Sequence, residues 1–261
     1  MKRDYTIRSL ERASGILNCF TLHEPVKTLK QLADESGLHK STVFRIMETL
    51  ENIKWVRKDP KTGAYRIGFG IFELGTRAVS GIDFYNASLP HLERLVKITE
   101  QSAHLVINDQ GEALYLNKVE APGSIITQPS KIGLRFPMYC TAVGKVLLSY
   151  MDEPQVDKII TEKGMKKITK NTIADKIELM NEITKIREQG YAIDNEEIQP
   201  GLRCIAAPVK DYTNKVVAAI SVSGLISNMS DEALPFVIEE ITYTARNISS
   251  DLGCQTYLGN E

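Results

Sequence analysis

The sequence predicts an α+β protein in two parts: a mostly helical amino-terminal region, and a larger carboxy-terminal region in which helices flank an antiparallel sheet. Three observations support this fold class. Apolar residues recur at helical spacing through residues 10–50, strand-like and helix-like segments are mixed from residue 83 onwards, and charge divides unevenly between the two regions. The length of 261 residues allows two ordinary domains.

The composition excludes several classes of protein. With 43% hydrophobic and 25% charged residues, the chain is typical of a soluble globular protein. No apolar run approaches the ~18 residues that span a bilayer, and the first ten residues lack the apolar core of a secretory signal, so we expect no membrane partner. The four cysteines are far apart and form no CxxC pair. This favours reduced thiols in a cytoplasmic protein over disulfides or a zinc module.

The net charge of −1 conceals an asymmetry. Residues 1–66 carry 13 Lys and Arg against 8 Asp and Glu, a net of +5, and the remainder carries 19 against 25, a net of −6. A basic region joined to an acidic body is typical of a phosphate-binding module with a separate second function. Random variation over a short window is the alternative.

Three helices are predicted in the amino-terminal region. The apolar face of the first consists of Leu10, Ala13, Leu17 and Phe20. The second opens at Thr28, and Gln31 three residues later completes a capping-box pattern. The buried positions of these last two helices are Leu29, Leu32 and Ala33 in the second, and Val43, Ile46, Met47 and Leu50 in the third.

The junction between the second and third helices predicts a helix-turn-helix. Gly37 lies where the chain reverses, and glycine adopts a positive φ there at little cost. A helix-turn-helix also needs a small residue where its helices cross and aliphatic residues that hold the second helix. Six positions fit this requirement: Leu32, Ala33, Gly37, Leu38, Val43 and Ile46. A helical hairpin of a bundle would match only some of them, so DNA binding is the favoured interpretation.

Polar residues on the exposed side of this motif are the candidate DNA contacts. A recognition helix presents its first residues to base edges and phosphates in the major groove. Arg45 is assigned to base reading because its planar guanidinium suits guanine O6 and N7. The complete set of candidates is Thr28, His39, Lys40, Ser41, Thr42, Arg45, Lys58 and Lys61. For each one, an ordinary solvated helix face is the alternative.

Residues 55–67 predict a hairpin directly after the recognition helix, which is the position of a wing. Lys58 and Lys61 lie near its turn, where they would meet backbone phosphates, and Trp55 is expected to pack beneath it. The winged helix-turn-helix domain is therefore placed at residues 1–67. Glycines bracket the next segment, residues 68–82, which is predicted to be a hinged linker helix. Its apolar residues, Phe69, Phe72, Leu74 and Val79, would contact a second subunit or pack on one domain.

The remainder, residues 83–261, is predicted to form a second domain. Helices are expected near 84–99, 142–150, 153–162, 174–189 and 232–251. Strands are expected near 103–107, 113–119, 125–128, 203–209 and 216–223. No internal repeat or low-complexity segment interrupts them.

Five short motifs give a resemblance over nearly the whole chain. They are SLERA at residues 9–13, GLHKSTV at 37–43, YCTAVGK at 139–145, GLRCIAAPV at 201–209 and AISVSG at 219–224. In this order and spacing, the chain resembles the IclR family of transcriptional regulators. One position departs from the family, since many members have His where this chain has Tyr139.

The resemblance implies a winged helix-turn-helix, a linker helix and a GAF-like effector domain, assembled as dimers or tetramers on palindromic operators in double-stranded DNA. It further implies control of catabolic operons by small organic acids, sugar acids or aromatic compounds. Both repressors and activators occur in the family. Any polar role assigned to the family's His is in doubt at Tyr139.

An effector pocket is predicted from a strand and a helix start. Ser221 and Ser223 share one side of a strand and suit a polar ligand, unless they bond to nearby backbone. Thr141 is positioned to cap the next helix, which leaves the N–H groups of Ala142 and Val143 for a carboxylate. Family similarity adds Asp194 and Cys204. Glu196 is expected on the same strand side as Asp194 and is a weaker candidate.

Enzyme interpretations are disfavoured. Gly144-Lys145 lacks the upstream glycine and the following Ser or Thr of a phosphate loop. A nucleophilic Cys204 would need His91 or His104 as its base, and a metal site at Asp194, Glu196 and Cys204 has no diagnostic spacing. We therefore predict no catalytic residue, no metal and no cofactor. The predicted function is a repressor of a catabolic operon that responds to a small organic or sugar acid. An activator of the same architecture, or an enzyme fused to a DNA-binding domain, is the alternative.

Overall fold

The computed structural model describes residues 6–122 and 131–257, and the chain divides between Gly81 and Ile82 into two compact units. Within the described residues, every helix is too short or too polar to cross a bilayer. The strand predicted near 125–128 lies outside the described residues.

The first unit is a small helical cluster with a three-stranded sheet. Its helices are α1 (Arg8–Asn18), α2 (Leu29–Ser36), α3 (Lys40–Asn52) and α4 (Phe69–Ser80). Its strands are β1 (Val26–Lys27), β2 (Val56–Lys58) and β3 (Tyr65–Ile67), which pair antiparallel in the order β1-β3-β2. The core of this unit consists of Ile16, Leu32, Val43, Met47, Leu50, Val56 and Tyr65.

The predicted apolar face of α1 is only partly correct. The buried residue of this helix is Ile16, whereas Leu10 is exposed. The helix ends at Asn18, before Phe20, so that only its second half packs on the core. The apolar repeat in the sequence therefore begins before the part of α1 that packs on the core of this unit, and it continues past the end of the helix.

The helix-turn-helix forms as predicted. The Thr28 hydroxyl accepts a hydrogen bond from the Gln31 N–H at 3.3 Å, and the Gln31 carboxamide oxygen accepts from the Thr28 N–H at 2.9 Å. Gly37 ends α2 with φ +65°. On α3, Val43, Met47 and Leu50 are buried, as their helical spacing predicts.

Gly68, which precedes α4, packs closely against the chain before β2. A Cβ atom on Gly68 would lie 2.4 Å from the Lys54 carbonyl oxygen, which no ordinary side chain tolerates. The helix that follows has no buried residue, and Phe69 and Phe72 are 77% and 70% exposed. In this unit α4 is therefore an uncovered apolar helix.

The second unit is a six-stranded antiparallel sheet between helices. Its helices are α5 (Asp83–Thr99), α6 (Ala142–Ser149), α7 (Glu153–Lys163), α8 (Lys176–Gln189) and α9 (Leu234–Asp251). Its strands are β4 (Ser102–Asp109), β5 (Glu112–Val119), β6 (Arg135–Pro137), β7 (Ala192–Asn195), β8 (Leu202–Lys210) and β9 (Val216–Leu225). The strand order is β6-β5-β4-β9-β8-β7.

The two faces of this sheet are covered by different helices. On one face α5 and α9 pack against residues such as Leu105, Ile205 and Ile220. On the other, α6 and α8 pack against residues such as Val106, Ala206 and Ala219. Because side chains alternate along a strand, Ser221 and Ser223 lie on the α6 face together with Ala219. Both faces are buried, and the sheet therefore positions polar side chains inside the protein.

Candidate functional site

The first turn of α3 carries the predicted DNA contacts. His39 caps the helix, with its Nδ1 3.4 Å from the Ser41 N–H and 2.8 Å from the Ser41 hydroxyl. His39, Lys40, Ser41 and Arg45 are exposed and Thr42 is half-buried, on the side opposite the core. The structure thus brings these five residues together as one polar surface.

Phe44 is a neighbour on this surface that the sequence analysis missed. Its ring is 43% exposed beside Arg45, out of phase with the buried stripe of α3. An exposed apolar side chain on a recognition helix suits the methyl group of thymine. Its signal in the sequence was an aromatic residue at a position that the helical period places outside the core.

Thr28 lies at the start of α2 and is exposed. Its hydroxyl is already bonded to Gln31 within the capping box, with the hydroxyl oxygen 2.8 Å from the Gln31 carboxamide oxygen. Thr28 therefore presents the amino-terminal end of α2, where N–H groups and the helix dipole favour an anion.

The wing is held in shape by its own turn. The Asp59 carboxylate accepts from the N–H groups of Lys61 and Thr62 at 2.8 and 2.9 Å, and these bonds lower the pKa of Asp59. Lys61 is exposed in this turn, whereas the Lys58 amine lies 5.4 Å from the centre of the Tyr65 ring. Of the two predicted wing contacts, Lys61 is thus the more accessible.

The second unit contains a cavity between the sheet and the start of α6. Its unfilled space is about 410 Å³, part of it open to solvent. Seven of the eight predicted effector contacts line it, the exception being Glu196. The lining consists of Tyr115, Phe136, Thr141, Ala142, Val143, Asp194, Ile198, Leu202, Cys204, Ser221 and Ser223.

Thr141 caps α6 as predicted. Its hydroxyl accepts from the Gly144 N–H at 3.2 Å and donates to the Pro137 carbonyl at 3.0 Å. The N–H groups of Ala142 and Val143, the first two residues of the helix, have no acceptor within it. Gly144 is required because a Cβ there would lie 2.2 Å from the Met138 carbonyl oxygen. The cavity therefore meets the positive end of a buried helix.

The two serines of β9 bond to side chains on neighbouring strands rather than to nearby backbone. Ser223 donates to the Cys204 sulfur at 3.1 Å, and the Ser221 hydroxyl is 3.3 Å from Nδ1 of His104. Burial, and then the charge of Lys118, lowers the pKa of His104 to about 3, so its imidazole is neutral. His104 and Tyr115 stand edge to face at 5.4 Å. From the sequence, His104 was considered only as a possible base for Cys204. Its contacts with Ser221 and Tyr115 were not predicted.

The structure does not assemble the Cys–His pair that an enzyme interpretation needs. Cys204 is bonded to Ser223, and burial raises the pKa of its thiol. His91 instead pairs with Asp251 at 2.7 Å, on the helices that cover the opposite face of the sheet. Within residues 6–122 and 131–257, no group of three His, Cys, Asp or Glu side chains is arranged to hold a metal ion.

The prediction that Glu196 shares a strand side with Asp194 is wrong. Strand β7 ends at Asn195, and Glu196 has a left-handed backbone with φ +64°. Its carboxylate accepts from the Gly201 N–H at 2.7 Å, so it holds the following turn and does not line the cavity.

Asp194 is the buried acid of the cavity, with 1% of its surface exposed. Its Oδ1 accepts from the Glu197 N–H at 2.7 Å. Burial, and then the charge of Glu197, raises the pKa of Asp194 to about 7. Next to it the Lys145 ammonium donates to Glu197 at 2.5 Å and to the Ile193 carbonyl at 2.7 Å.

Tyr139, where many members of the resembled family have His, lies outside this cavity. Its hydroxyl donates to the Lys166 carbonyl at 2.6 Å and accepts from the Lys166 N–H at 2.8 Å. Tyr139 therefore fastens the chain before α6 to the segment after α7.

Comparisons with known proteins match both units. The IclR helix-turn-helix model matches residues 9–60, and the model of the bacterial transcriptional regulator IclR C-terminal region matches residues 76–250. The chain is 34% identical to the HTH-type transcriptional regulator XynR of Escherichia coli K12, over 95% of this chain and 98% of that protein. It is 29% identical to the HTH-type transcriptional repressor AllR of the same organism, over 96% of this chain and 92% of that one.

Among solved structures, an IclR homologue from Microbacterium hydrocarbonoxydans in complex with 4-hydroxybenzoate has the same fold. The TM-score is 0.84 at 21% sequence identity, and the match covers 94% of this chain and 98% of that one.

Proposed function

The chain belongs to the IclR family of DNA-binding transcriptional regulators, and from this we propose that it represses a catabolic operon in the cytoplasm until a small carboxylate binds its second unit. Its family and curated relatives are regulators and not enzymes. The observation that carries the proposal is the cavity that is lined by two hydroxyl groups and by the start of a buried helix.

The DNA side of the proposal rests on the surface of α3. Lys40, Ser41 and Arg45 are exposed together at the start of a helix whose other side is fixed in the core. Such a helix enters the major groove by its amino-terminal end. We assign Arg45 to base reading, Thr28 and Lys61 to phosphates, and the chain to a dimer or tetramer on a palindromic operator. Its relative AllR is named a repressor, which supports this sign of regulation.

The effector side rests on charge and hydrogen-bonding capacity. The N–H groups of Ala142 and Val143 suit an anion, and Ser221 and Ser223 suit the hydroxyl groups of a sugar acid or hydroxy acid. The complex of the Microbacterium homologue with 4-hydroxybenzoate, a hydroxylated carboxylate, supports this ligand class. To change DNA affinity, the ligand must bind the repressing and released states with different affinity.

The DNA assignment is tested by an Arg45→Ala variant of the full chain. The preferred operator is first selected from a pool of random duplexes with the wild-type protein. Loss of one base-reading arginine is expected to weaken binding by about 1–3 kcal/mol, roughly 5–150-fold, and to relax the preference at one base pair. Arg77→Ala, an exposed arginine on α4, is the charge-matched control. Unchanged affinity and preference for Arg45→Ala would show that α3 is not the reading helix.

The effector assignment is tested by thermal shift with a panel of sugar acids, keto acids and 4-hydroxybenzoate. A bound ligand stabilises the protein by RT ln(1 + [L]/Kd). The double variant Ser221→Ala/Ser223→Ala is expected to lose the shift, whereas Ser227→Ala, in the exposed turn after β9, should keep it. A shift that persists in the double variant would place the site elsewhere.

The sign of regulation is tested by transcription in vitro from a template carrying the selected operator. The protein should reduce the transcript and the stabilising acid should restore it. An increase with protein alone would contradict repression, and turnover of the acid would favour an enzyme.

A further inference from the structure

The described lining of the cavity has no positively charged side chain to pair with an anion. Among its described lining residues there is one carboxyl group, that of Asp194, and no Lys, Arg or His. A carboxylate held at the start of α6 would therefore share a buried space with a second acid. Two like charges in such a space are strongly unfavourable, and one of them takes up a proton.

We propose that the effector binds together with one proton, which is held on the Asp194 carboxyl group and donated from there to the ligand. The proton comes from solvent, and the complex thereby gains no net charge. This selects ligands with a single carboxylate over those with two. The inference rests on the proposed carboxylate effector.

The position of the carboxyl group favours this arrangement. Its Oδ1 atom accepts from the Glu197 N–H at 2.7 Å, and the Ile198 N–H also bonds to this carboxyl group. These two bonds hold the carboxyl group in place at the wall of the cavity. Asp194 is 1% exposed, so water contributes little to stabilising its ionised form.

The surrounding groups do not supply the missing charge. Lys145 acts on Asp194, but it is paired with Glu197 at 2.5 Å and lies 3.5 Å from Glu182. Three further titratable groups near Asp194 are neutral at pH 7 because burial raises their pKa values: Tyr115, Cys140 and Cys204. His104, whose pKa is lowered by burial, is also neutral. The net charge of the cavity lining is therefore set by whether Asp194 is protonated.

The sign of the pH dependence follows from the raised pKa of Asp194, about 7 in the free protein. Below this pH the acid is already protonated, and the Kd of the effector should be constant. Above it each binding event takes up a proton, and the Kd should rise tenfold per pH unit.

The experiment is calorimetric titration of the full chain with gluconate, pyruvate and 4-hydroxybenzoate between pH 6 and 9. Repeating each titration in buffers of different ionisation enthalpy counts the protons taken up. Wild-type protein should take up none at pH 6 and about one at pH 8.5, and its Kd should rise about tenfold from pH 7.5 to 8.5.

Two variants separate protonation from structure. In Asp194→Asn the amide Oδ1 can still accept from Glu197 while Nδ2 donates as the protonated acid would. This variant should bind with a Kd that is independent of pH and with no proton uptake. Glu196→Gln, a neighbouring acid that does not line the cavity, should keep the wild-type pH dependence.

A wild-type Kd that is constant to pH 9, or an Asp194→Asn variant that binds at no pH, would overturn the inference. If none of the three acids binds, the proposed effector class is contradicted, and carbon-13 NMR of the Asp194 carboxyl then decides the protonation separately. A pKa near 7 would support a protonated Asp194, and a pKa below 5 would overturn it.

Discussion

The Lys145→Met substitution tests the electrostatics of the buried charges beside the candidate effector cavity. It removes a buried ammonium and keeps an unbranched chain of similar length. Lys145 is 1% exposed, and its amine holds the Glu197 carboxylate, which is 5% exposed, and the Ile193 carbonyl. Without Lys145 the carboxylate is left buried with no cation beside it.

In the variant, Glu197 takes up a proton because a buried carboxylate without a cation is unfavourable. The expected loss of unfolding free energy is the cost of this protonation. Neutralising a carboxyl of ordinary pKa 4.5 at pH 7 costs about 1.4 kcal/mol for each of 2.5 pH units, or about 3.5 kcal/mol. This agrees with the ~3–5 kcal/mol typical of a broken buried ion pair. The pKa of Glu197 is raised in the folded variant. The loss of unfolding free energy relative to wild type is therefore absent below the unfolded pKa of this group, and it grows as pH rises. It should fall below about 1 kcal/mol at pH 5.

The assay is urea unfolding followed by circular dichroism at pH 5 and pH 7. Trp55, the one tryptophan, lies in the first unit, so its fluorescence transition serves as an internal control and should not move. The double variant Lys145→Met/Glu197→Gln carries no buried charge at this pair and should regain most of the loss. A deficit under about 1 kcal/mol at pH 7, or one equal at both pH values, would refute the reasoning.

Three further outcomes are expected. Lys61→Ala should reduce the slope of log affinity against log salt by about 1 without changing sequence preference, as measured by operator titration at several salt concentrations. Gly144→Ala should lower the melting temperature of the second unit in calorimetry, because its Cβ would lie 2.2 Å from the Met138 carbonyl oxygen; an unchanged value would contradict this packing. Relative to Asp194→Asn, wild-type stability should fall by about 1.4 kcal/mol per pH unit from about pH 4 to 7 and then level off, since the folded pKa is raised; a flat difference in urea unfolding would show that Asp194 is ionised.

Patterns within single helices and strands predicted most of the helices, and they predicted those site residues whose placement depends on one element alone. The spacing of Val43, Met47 and Leu50 is a property of one helix, and all three are buried. The capping pattern of Thr28 is complete within four residues, and it forms as predicted. Ser221 and Ser223 share a face because strand side chains alternate, and both line the cavity.

Contacts between distant segments were not predictable in the same way. The approach of His104 to Ser221 depends on the pairing of β4 with β9, and no local pattern contains that register. Lys145 and Glu197 meet only because α6 lies over the sheet beside β7. Glu196 was misplaced since strand alternation was extended one residue beyond the end of β7. The short strand β6 was missed because three residues carry too little periodicity.

The strand order of the sheet has a consequence for assembly. Its two outer strands, β6 and β7, have three and four residues, whereas the central strands have eight to ten. A short outer strand offers few unpaired backbone groups to a strand from another molecule. Subunits of this protein are therefore expected to join through side chains of helices and loops rather than by merging their sheets. Assembly of this kind would leave the strands around the cavity in their places. The short outer strands also lower the tendency of the folded protein to aggregate.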